Sequence, residues 1–254
     1  MAVTINNLKG KTVLITGASG DIGRACALAF GKKGANLVLH SFRNHSVIND
    51  IQKELSDVVV CPIKCDATDV KEVAKQFDLI KNHYNIKTID VLVNNVGDLI
   101  ERCPFDKMDW KLVQKSIDVN LKSGFLFTKF ALPLIPNGGS IIFISSQTAR
   151  WGKGDRSSHY GAAKAAVLGL MKCLANELGS KKIRVNSVAP GFIEGQFHKK
   201  YTSRDITTAH ARKNPMGRNG NPDDVAGAVL FLGSPVSSYV NGTVIDVCGG
   251  DFIA

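Results

Sequence analysis

The sequence lacks the features that mark membrane and secreted proteins. No apolar run in its 254 residues is long enough to span a membrane. Its first residues, MAVTINNLKGK, lack the long apolar core of a secretory signal. The six cysteines form no CxxC pair, and no second Cys or His pair completes the Cys61/Cys65 spacing as a metal site. We therefore expect a cytoplasmic protein with reduced thiols, no metal and no membrane association.

Long runs of one charge are also missing. Lys and Arg number 32 against 22 Asp and Glu, giving a net charge of +10, yet no five basic residues follow one another. A basic surface attracts anions, but no nucleic-acid-binding motif accompanies this charge. We expect small anionic molecules, and not nucleic acid, to be the partners.

What the sequence does contain is a regular alternation of strand and helix patterns. Short runs rich in Val, Ile and Leu, such as TVLIT, NLVLHS, IDVLVNN, SIIFISS and IRVNSVAP, are separated by longer segments with helical spacing. This alternation predicts βαβ units and a parallel sheet covered on both faces. No linker or repeat interrupts it. We predict one α/β domain over residues 1–254, with a doubly wound, Rossmann-type sheet.

The least regular segment, residues 191–222, follows the end of a predicted strand, where ligands bind in open α/β sheets. Its helical pattern is weak. Because long irregular segments in compact domains are usually functional, we predict a substrate lid there. A plain surface excursion is the alternative.

A glycine-rich turn, TGASGDIG, connects the first strand to the first helix. Gly17, Gly20 and Gly23 allow a tight turn, and a helix N-terminus favours an anion. The turn predicts a site for a cofactor pyrophosphate. Asp21 raises a question, because a carboxylate aimed inward would repel phosphates, whereas one aimed outward would only cap the helix. We favour the outward cap.

The end of the second strand, LVLHSFRNH, indicates which cofactor is used. A carboxylate there would bind the 2′-hydroxyl of NAD, whereas a basic residue would accommodate the 2′-phosphate of NADP. No Asp or Glu follows the strand, but Ser41 and Arg43 do. We favour NADP(H), with Arg43 as the phosphate partner. NAD(H), with Arg43 as a solvated loop residue, stays possible.

The segment YGAAK carries the chemistry. Tyr160 and Lys164 are four residues apart on a strong helical pattern and therefore share one face. A Lys near a phenol lowers the Tyr pKa, which suits a general acid or base. Ser145 and Ser146 end a strand just upstream, where a ligand crevice is expected.

With these residues in view, the chain resembles the short-chain dehydrogenase/reductase family over nearly its full length. Eight segments occur in the family's order: TGASGDIG, CDATD, NNVG, DVNL, ISS, YGAAK, VAPG and VIDVCGG. The resemblance implies a doubly wound parallel sheet, a homotetramer, and NAD(P)-dependent chemistry on a carbonyl or alcohol.

The resemblance also implies roles for individual residues. Tyr160 matches the catalytic acid/base, and Lys164 matches the residue that lowers its pKa and holds the nicotinamide ribose. Ser146 matches the hydroxyl that orients the carbonyl, and Asn120 matches the residue that positions a relay water. The expected cofactor-binding residues are Gly17, Ser19, Asp21, Ile22, Gly23, Ser41, Arg43, Asp66, Ala67, Asn94, Gly97, Tyr160, Lys164, Pro190, Gly191 and Ile193.

Three positions depart from the family pattern. Asp21 replaces the middle Gly of the turn, Val96 replaces a commoner Ala, and Gly195 replaces a Thr that often contacts the cofactor. The missing Thr puts that contact in doubt.

These observations predict an NADP(H)-dependent oxidoreductase that transfers a hydride between the nicotinamide and a carbonyl or secondary alcohol. We expect a small polar keto or sugar-type substrate, because the lid resembles that of keto-sugar-acid reductases. Basic residues proposed to suit an anionic substrate are Arg150, His198, Lys199, Lys200 and Arg218. The alternatives are a 3-oxoacyl-acyl-carrier-protein reductase, with Lys181 and Lys182 in a docking face, and a non-catalytic NADP sensor.

Overall fold

A computed structural model describes residues 8–253 and contains one seven-stranded sheet. The strand order is β3-β2-β1-β4-β5-β6-β7, and every pairing is parallel. The strands are β1 (Thr12–Ile15), β2 (Asn36–Ser41), β3 (Val60–Lys64), β4 (Val91–Asn94), β5 (Ser140–Ile144), β6 (Arg184–Pro190) and β7 (Val244–Val247). The chain order reverses beside β1, which pairs with both β2 and β4. In open α/β sheets a crevice forms at that switch point.

Helices cover both faces of the sheet. They are α1 (Asp21–Gly31), α2 (Ser46–Glu54), α3 (Val70–Asn82), α4 (Trp110–Ile117), α5 (Ser123–Ala131), α6 (Gln147–Trp151), α7 (Ser158–Leu178), α8 (Gln196–Tyr201), α9 (Arg204–Lys213) and α10 (Pro222–Gly233). Alternate strand residues enter two separate cores. Val13 and Ile15 pack with α1 and α10, while Leu14 packs with α3, α5 and α7. The predicted doubly wound parallel sheet is confirmed.

The sequence patterns did not reveal every helix. Helices α4 and α5 are joined through a π-helical turn, Asp118–Lys122, which breaks the regular 3.6-residue spacing. The predicted lid region contains α8 and α9, which make up half of it. Helix α9 has few apolar residues, so it shows little periodicity, but Ser203 caps it by accepting the backbone N–H of Ile206 at 3.4 Å.

Across residues 8–253, no helix combines the length and apolarity needed to cross a membrane. All six cysteines are free thiols. Burial raises the pKa of Cys26 and Cys65 to about 12, so both are protonated at neutral pH.

Candidate active site

A cleft of about 1540 Å³ lies across the carboxyl ends of the strands. Segments that follow all seven strands contribute to its walls, and the segment after β6 carries α8 and α9. Of the residues predicted for catalysis or cofactor binding, those that line the cleft are Gly17, Ser19, Asp21, Ile22, Arg43, Asp66, Ala67, Gly97, Ser146, Tyr160, Lys164, Pro190, Gly191 and Ile193. The topology thus brings together residues far apart in the sequence.

The glycine-rich turn presents the N-terminus of α1 to the cleft. Gly17 has a φ of 63°, a conformation that favours glycine. Gly20 occupies the N-cap and no side chain caps the helix, so the first backbone N–H groups face the cleft side without a side-chain acceptor. Gly23 lies outside the cleft lining. A Cβ there would overlap the Gly17 carbonyl oxygen, so Gly23 is needed for close packing of the turn.

Asp21 does not cap its own helix. Its Oδ2 accepts a 2.6 Å hydrogen bond from the backbone N–H of Gln196, the first residue of α8. The expected cap of α1 is not formed, because the carboxylate accepts from α8 instead, and Asp21 also lines the cleft. The carboxylate joins the cofactor turn to the predicted lid.

His40, a residue with no predicted role, holds the glycine-rich turn through a hydrogen bond to its backbone. Its Nδ1 accepts the backbone N–H of Gly17 at 3.1 Å, and its Nε2 lies 3.1 Å from the carbonyl oxygen of Cys65. These contacts fix a neutral ring with the proton on Nε2, and burial lowers the pKa of His40. His40 therefore links the turn after β1 to the segment after β3. Its position at the end of β2 was the available signal.

At the end of β2, Arg43 is exposed and lines the cleft, with its guanidinium 5.4 Å from the Phe42 ring centroid. Ser41 is fully buried outside the cleft lining, and its hydroxyl is 2.8 Å from Nδ1 of His45. A side-chain contact between Ser41 and a cofactor is therefore not available in this arrangement.

The segment after β4 corrects one expected position. Asn94 is buried outside the cleft lining and donates to Thr128 Oγ1 at 2.9 Å, because alternate residues of the strand face opposite sides of the sheet. The next residue, Asn95, lines the cleft and donates to the carbonyl oxygens of Thr16 and Gly17 at 3.0 and 3.1 Å. Asn95 is thus the asparagine of this segment that reaches the cofactor turn.

Tyr160 and Lys164 lie one turn apart on α7, and both line the cleft with Ser146. Lys164 Nζ donates to the Ile144 carbonyl oxygen at 2.8 Å, and Ser145 Oγ donates to the Lys164 carbonyl oxygen at 2.9 Å. These two bonds lock α7 onto the end of β5. Ser146 Oγ accepts the Thr148 N–H at 3.1 Å, and its hydroxyl is within hydrogen-bonding reach of the Tyr160 oxygen.

The electrostatics of this pair differ from the expected ones. Burial raises the pKa of Tyr160 to about 12, although a hydrogen bond with Ser146 acts in the opposite direction. Burial also lowers the pKa of Lys164 to about 8. Lys164 does not offset the desolvation of the phenol, because its Nζ is directed to the Ile144 carbonyl, 5.9 Å from the Tyr160 ring centroid. Tyr160 is accordingly a protonated donor at neutral pH.

Asn120 lies in the π-helical turn, buried behind the cleft wall. Its Nδ2 donates to the Asp98 carbonyl oxygen at 2.8 Å, and its Oδ1 accepts the Asp98 N–H at 3.1 Å. A Cβ on Gly97 would come within 3 Å of Asn120 Oδ1 and Lys164 Nζ, so this corner has room only for glycine. The Asn120 side chain shapes the corner and is not itself part of the cleft surface.

The basic residues expected around an anionic substrate are mostly paired or remote. Arg150 lies 3.0 Å from Asp246, and Arg218 forms two hydrogen bonds with Asp224. Neither residue lines the cleft, nor does Lys199. Lys200 does, but its Nζ is 3.2 Å from Asp98. Most of these basic residues are therefore either paired with a carboxylate or outside the cleft lining.

His198 lines the cleft as a neutral ring. Burial, with the charge of Arg102 nearby, lowers its pKa to about 4. Arg102 also lines the cleft and was not predicted. Its guanidinium donates to the backbone carbonyl oxygens of Tyr201 and Asp155. Both acceptors are uncharged peptide oxygens. Arg102 is therefore a cation on this wall that these contacts leave uncompensated.

An aromatic wall lines the cleft beside Tyr160. Phe192 and His198 stack with ring centroids 3.6 Å apart, and Phe197 lies 6.2 Å from the Tyr160 ring. Gln147, beside Ser146, lines the cleft and is 7% exposed, yet its Nε2 has no partner among the described residues. A buried amide donor without an acceptor is costly, so a ligand atom is the natural partner.

Comparison with known proteins places this geometry in a family. A family model described as Enoyl-(Acyl carrier protein) reductase matches residues 17–251. The chain belongs to the short-chain dehydrogenase/reductase family. It is 38% identical to 3-oxoacyl-[acyl-carrier-protein] reductase FabG of Thermotoga maritima, over 96% of this chain and 98% of that protein.

Two solved structures show the same fold. One is 7alpha-hydroxysteroid dehydrogenase with NADH and 7-oxo glycochenodeoxycholic acid, at TM-score 0.90 and 32% identity, covering 98% of both chains. The other is a blue fluorescent protein from a metagenomic library with NADPH, at TM-score 0.88 and 27% identity, covering 96% of this chain and 99% of that one. The protein is an oxidoreductase of this family, whose members bind nicotinamide cofactors.

Proposed function

We propose that the protein is an NADP(H)-dependent reductase of a small polar keto or sugar-type compound, working reversibly on the corresponding secondary alcohol. The observation that carries this proposal is the meeting of Ser146, Tyr160 and Lys164 in one cleft with an uncapped helix N-terminus. The first three supply hydrogen bonding and a proton, and the helix end supplies N–H donors for an anion.

The residues of the cleft fit a dinucleotide. The uncapped start of α1 suits the pyrophosphate. Asp66 and Ala67 line the part of the cleft proposed for the adenine. The part proposed for the nicotinamide is lined by Pro190, Gly191 and Ile193. Exposed Arg43 follows β2, where a basic residue can accommodate a 2′-phosphate, and no acidic residue stands between Ser41 and Ser46. This supports NADP(H) over NAD(H).

When bound, the nicotinamide supplies or accepts the hydride. Ser146 and Tyr160 donate hydrogen bonds to the carbonyl oxygen, where negative charge develops during reduction. Tyr160 is protonated at neutral pH, so it transfers its hydroxyl proton to that oxygen. Lys164, one turn along α7, is placed to restore the proton and to hold a ribose hydroxyl. Asn120 is proposed to position a relay water through its backbone, since its side chain is engaged by Asp98.

The substrate class is inferred from the walls beside Tyr160. An aromatic wall with few polar groups is typical of a small-molecule site. The unpartnered Nε2 of Gln147 favours a substrate with a second oxygen near the carbonyl. Because His198 is neutral and Lys200 is paired, an acidic substrate would depend on Arg102 for its charge.

A second candidate, 3-oxoacyl-acyl-carrier-protein reductase, is favoured by the relative from Thermotoga maritima. The expected docking residues argue less strongly for it. Lys181 and Lys182 precede β6 and therefore lie at the edge of the sheet opposite the cleft. The six residue steps from Arg184 to Pro190 put roughly 20 Å of strand between them and the cleft. A docking face for an acyl carrier would need the basic residues at the cleft, such as Lys111, Lys115 and Lys153.

Assembly and location complete the proposal. Phe105, Trp110 and Phe125 are 81%, 72% and 52% exposed around α4 and α5, which suits contact with further copies of the chain in a homotetramer. Six free thiols suit a reducing cytoplasm. Sedimentation analysis should give the mass of four chains; a monomer at micromolar concentration would refute this part.

Initial rates with a carbonyl panel test the main proposal. The panel contains simple ketones, α-hydroxy ketones, keto-sugar acids and 3-oxoacyl thioesters, each with NADPH and NADH. We expect the highest kcat/KM with NADPH and a hydroxylated ketone, whereas preference for the thioesters would select the second candidate. Arg43→Ala should weaken NADPH about 10-fold or more and leave NADH unchanged, because one charge-assisted contact is lost. Lys53→Ala, an exposed change on α2, is the matched control.

A further inference from the structure

Two departures from the family pattern meet in space. Asp21, in the cofactor turn, and Gly195, before α8, are 174 positions apart, yet a Cβ built on Gly195 would overlap the Asp21 carboxylate. Gly195 also has a φ of 157°, a conformation that residues with side chains rarely adopt. The space that a side chain at position 195 would need is therefore filled by Asp21.

The same carboxylate holds the next residue. Asp21 Oδ2 accepts the Gln196 N–H at 2.6 Å, a short bond of the charge-assisted kind. Gln196 begins α8, so this bond satisfies a backbone donor that has no partner within its own helix. Asp21 acts as the cap of α8 from a distant part of the chain.

The other end of α8 is also held. Tyr201 donates its hydroxyl to Asp98 Oδ1 at 2.7 Å, and Arg102 Nε donates to the Tyr201 carbonyl oxygen at 3.0 Å. Between the two ends, Phe197 lies 6.2 Å from the ring of Tyr160, and His198 stacks on Phe192. The bond from Asp21 therefore helps to fix the position of Phe197 and His198, which form part of the aromatic wall.

We propose that Asp21 is a positioning residue: by accepting the Gln196 N–H it holds α8, and with it the substrate wall, against the cofactor turn, and Gly195 is required because Asp21 occupies its side-chain space. Asp21 and Gly195 thus form one functional pair and cannot be exchanged singly. This inference needs only the oxidoreductase activity and does not depend on NADP(H) preference or on the substrate class.

A four-variant cycle tests the pair: Asp21→Gly, Gly195→Thr, the double variant, and Asp21→Asn. Losing the charge-assisted bond in Asp21→Gly should raise KM for the best carbonyl of the panel about 10-fold, with kcat changed less than about threefold. Gly195→Thr alone should be worse, because the carboxylate blocks the new side chain. The double variant should return KM to within about threefold of the parent, because the loop is then free to relax. Asp21→Asn keeps an oxygen acceptor and should stay close to the parent.

Limited trypsin digestion gives a second readout that needs no substrate. Cleavage after Lys199, Lys200 and Arg204 should be faster in Asp21→Gly than in the parent, and slower in the double variant than in Gly195→Thr. Asp50→Gly removes an exposed carboxylate of α2, far from the scored bonds, and serves as the control. If the effects of Asp21→Gly and Gly195→Thr simply add in both readouts, or if Gly195→Thr alone is harmless, the pairing is refuted. If the panel shows no turnover, the digestion still decides.

Discussion

The backbone N–H of Gly17 donates to Nδ1 of His40 across 3.1 Å, and this bond ties the cofactor turn to the end of the second strand. The ring can accept this proton only while Nδ1 is unprotonated. Because the opposite nitrogen faces the Cys65 carbonyl, protonation would break one of the two bonds by which His40 joins three segments at the cleft. The cofactor turn is consequently built on a neutral histidine.

His40 predicts a loss of stability in acid. Its folded-state pKa lies below the ordinary histidine value of 6.5, so the unfolded chain binds the proton first as pH falls. The contribution of His40 to the free energy of unfolding is complete above about pH 6.5 and declines below it. The hydrogen bond to the Cys65 carbonyl and, to a smaller extent, the charge of Asp66 partly oppose this lowering of the pKa.

His40→Phe should lower the free energy of unfolding at pH 7.5 by about 1–3 kcal/mol, because two buried hydrogen bonds are lost. It should also flatten the fall in Tm between pH 7 and 5, measured by thermal unfolding. His198 contributes to the same fall, so the comparison is with the parent protein. His83→Asn, an exposed change, is the control. An unchanged pH slope in His40→Phe would contradict the prediction.

Tyr160→Phe should lower turnover by about 10²–10⁴-fold, because the proton donor to the carbonyl oxygen is removed. Fluorescence titration should show NADPH affinity within about threefold of the parent, since the ring and Lys164 stay in place. Tyr239→Phe, at a fully exposed residue, is the control. Near-normal turnover in Tyr160→Phe would remove Tyr160 from the mechanism.

Lys164→Met should stabilise the protein while abolishing turnover. Burial lowers the pKa of Lys164 from 10.5 to about 8, so its charge opposes folding at neutral pH. After the bond to the Ile144 carbonyl is subtracted, the gain in unfolding free energy at pH 7 should be on the order of 1–3 kcal/mol.

This gain should shrink between pH 8 and 10.5, where the folded parent protein loses its Lys164 proton while the unfolded chain still holds it. Thermal unfolding at pH 7 and 10 measures both effects. Lys172→Met, an exposed change on α7, should alter neither. A lower Tm for Lys164→Met at pH 7 would show that the lysine stabilises the fold.

Gln147→Leu should raise KM only for substrates that carry a second oxygen next to the carbonyl. For an α-hydroxy ketone, loss of the Nε2 donor should raise KM about 10-fold, whereas a simple ketone should be unaffected. Tm should not fall, because the amide donor has no protein partner to lose. Gln52→Leu on α2 is the control. Equal effects on both ketones would exclude a substrate contact by Gln147.

Much of the fold was predictable, because strand and helix patterns reflect local spacing. NLVLHS is β2 as the structure has it, and IRVNSVAP differs from β6 by one residue. The sequence pattern does not reveal α4 and α5, because the π-helical turn breaks their regular spacing. It does not reveal α9, because that helix has few apolar residues. Apolar periodicity reveals a helix only where one regular face is buried.

The site was predictable to the extent that its residues lie near one another in the chain. Tyr160 and Lys164 share a face of α7, and Ser146 lies two residues after β5, at the N-cap of α6. Asn94 and Asn95 are adjacent, and only the alternation of the strand decides which side chain reaches the cleft. That alternation was not resolved from sequence, because both faces of this sheet are buried and the residues carry no polar-apolar contrast.

The sequence by itself determined the alternating α/β architecture, the glycine-rich turn, the Tyr160–Lys164 spacing and the basic end of the second strand, since each depends on local spacing or composition. The tertiary structure alone decided that Asp21 caps α8 and fills the space beside Gly195, and that His40 supports Gly17. It also decided the charge states of Tyr160 and Lys164, because desolvation depends on which segments pack around a group and not on its neighbours in the chain.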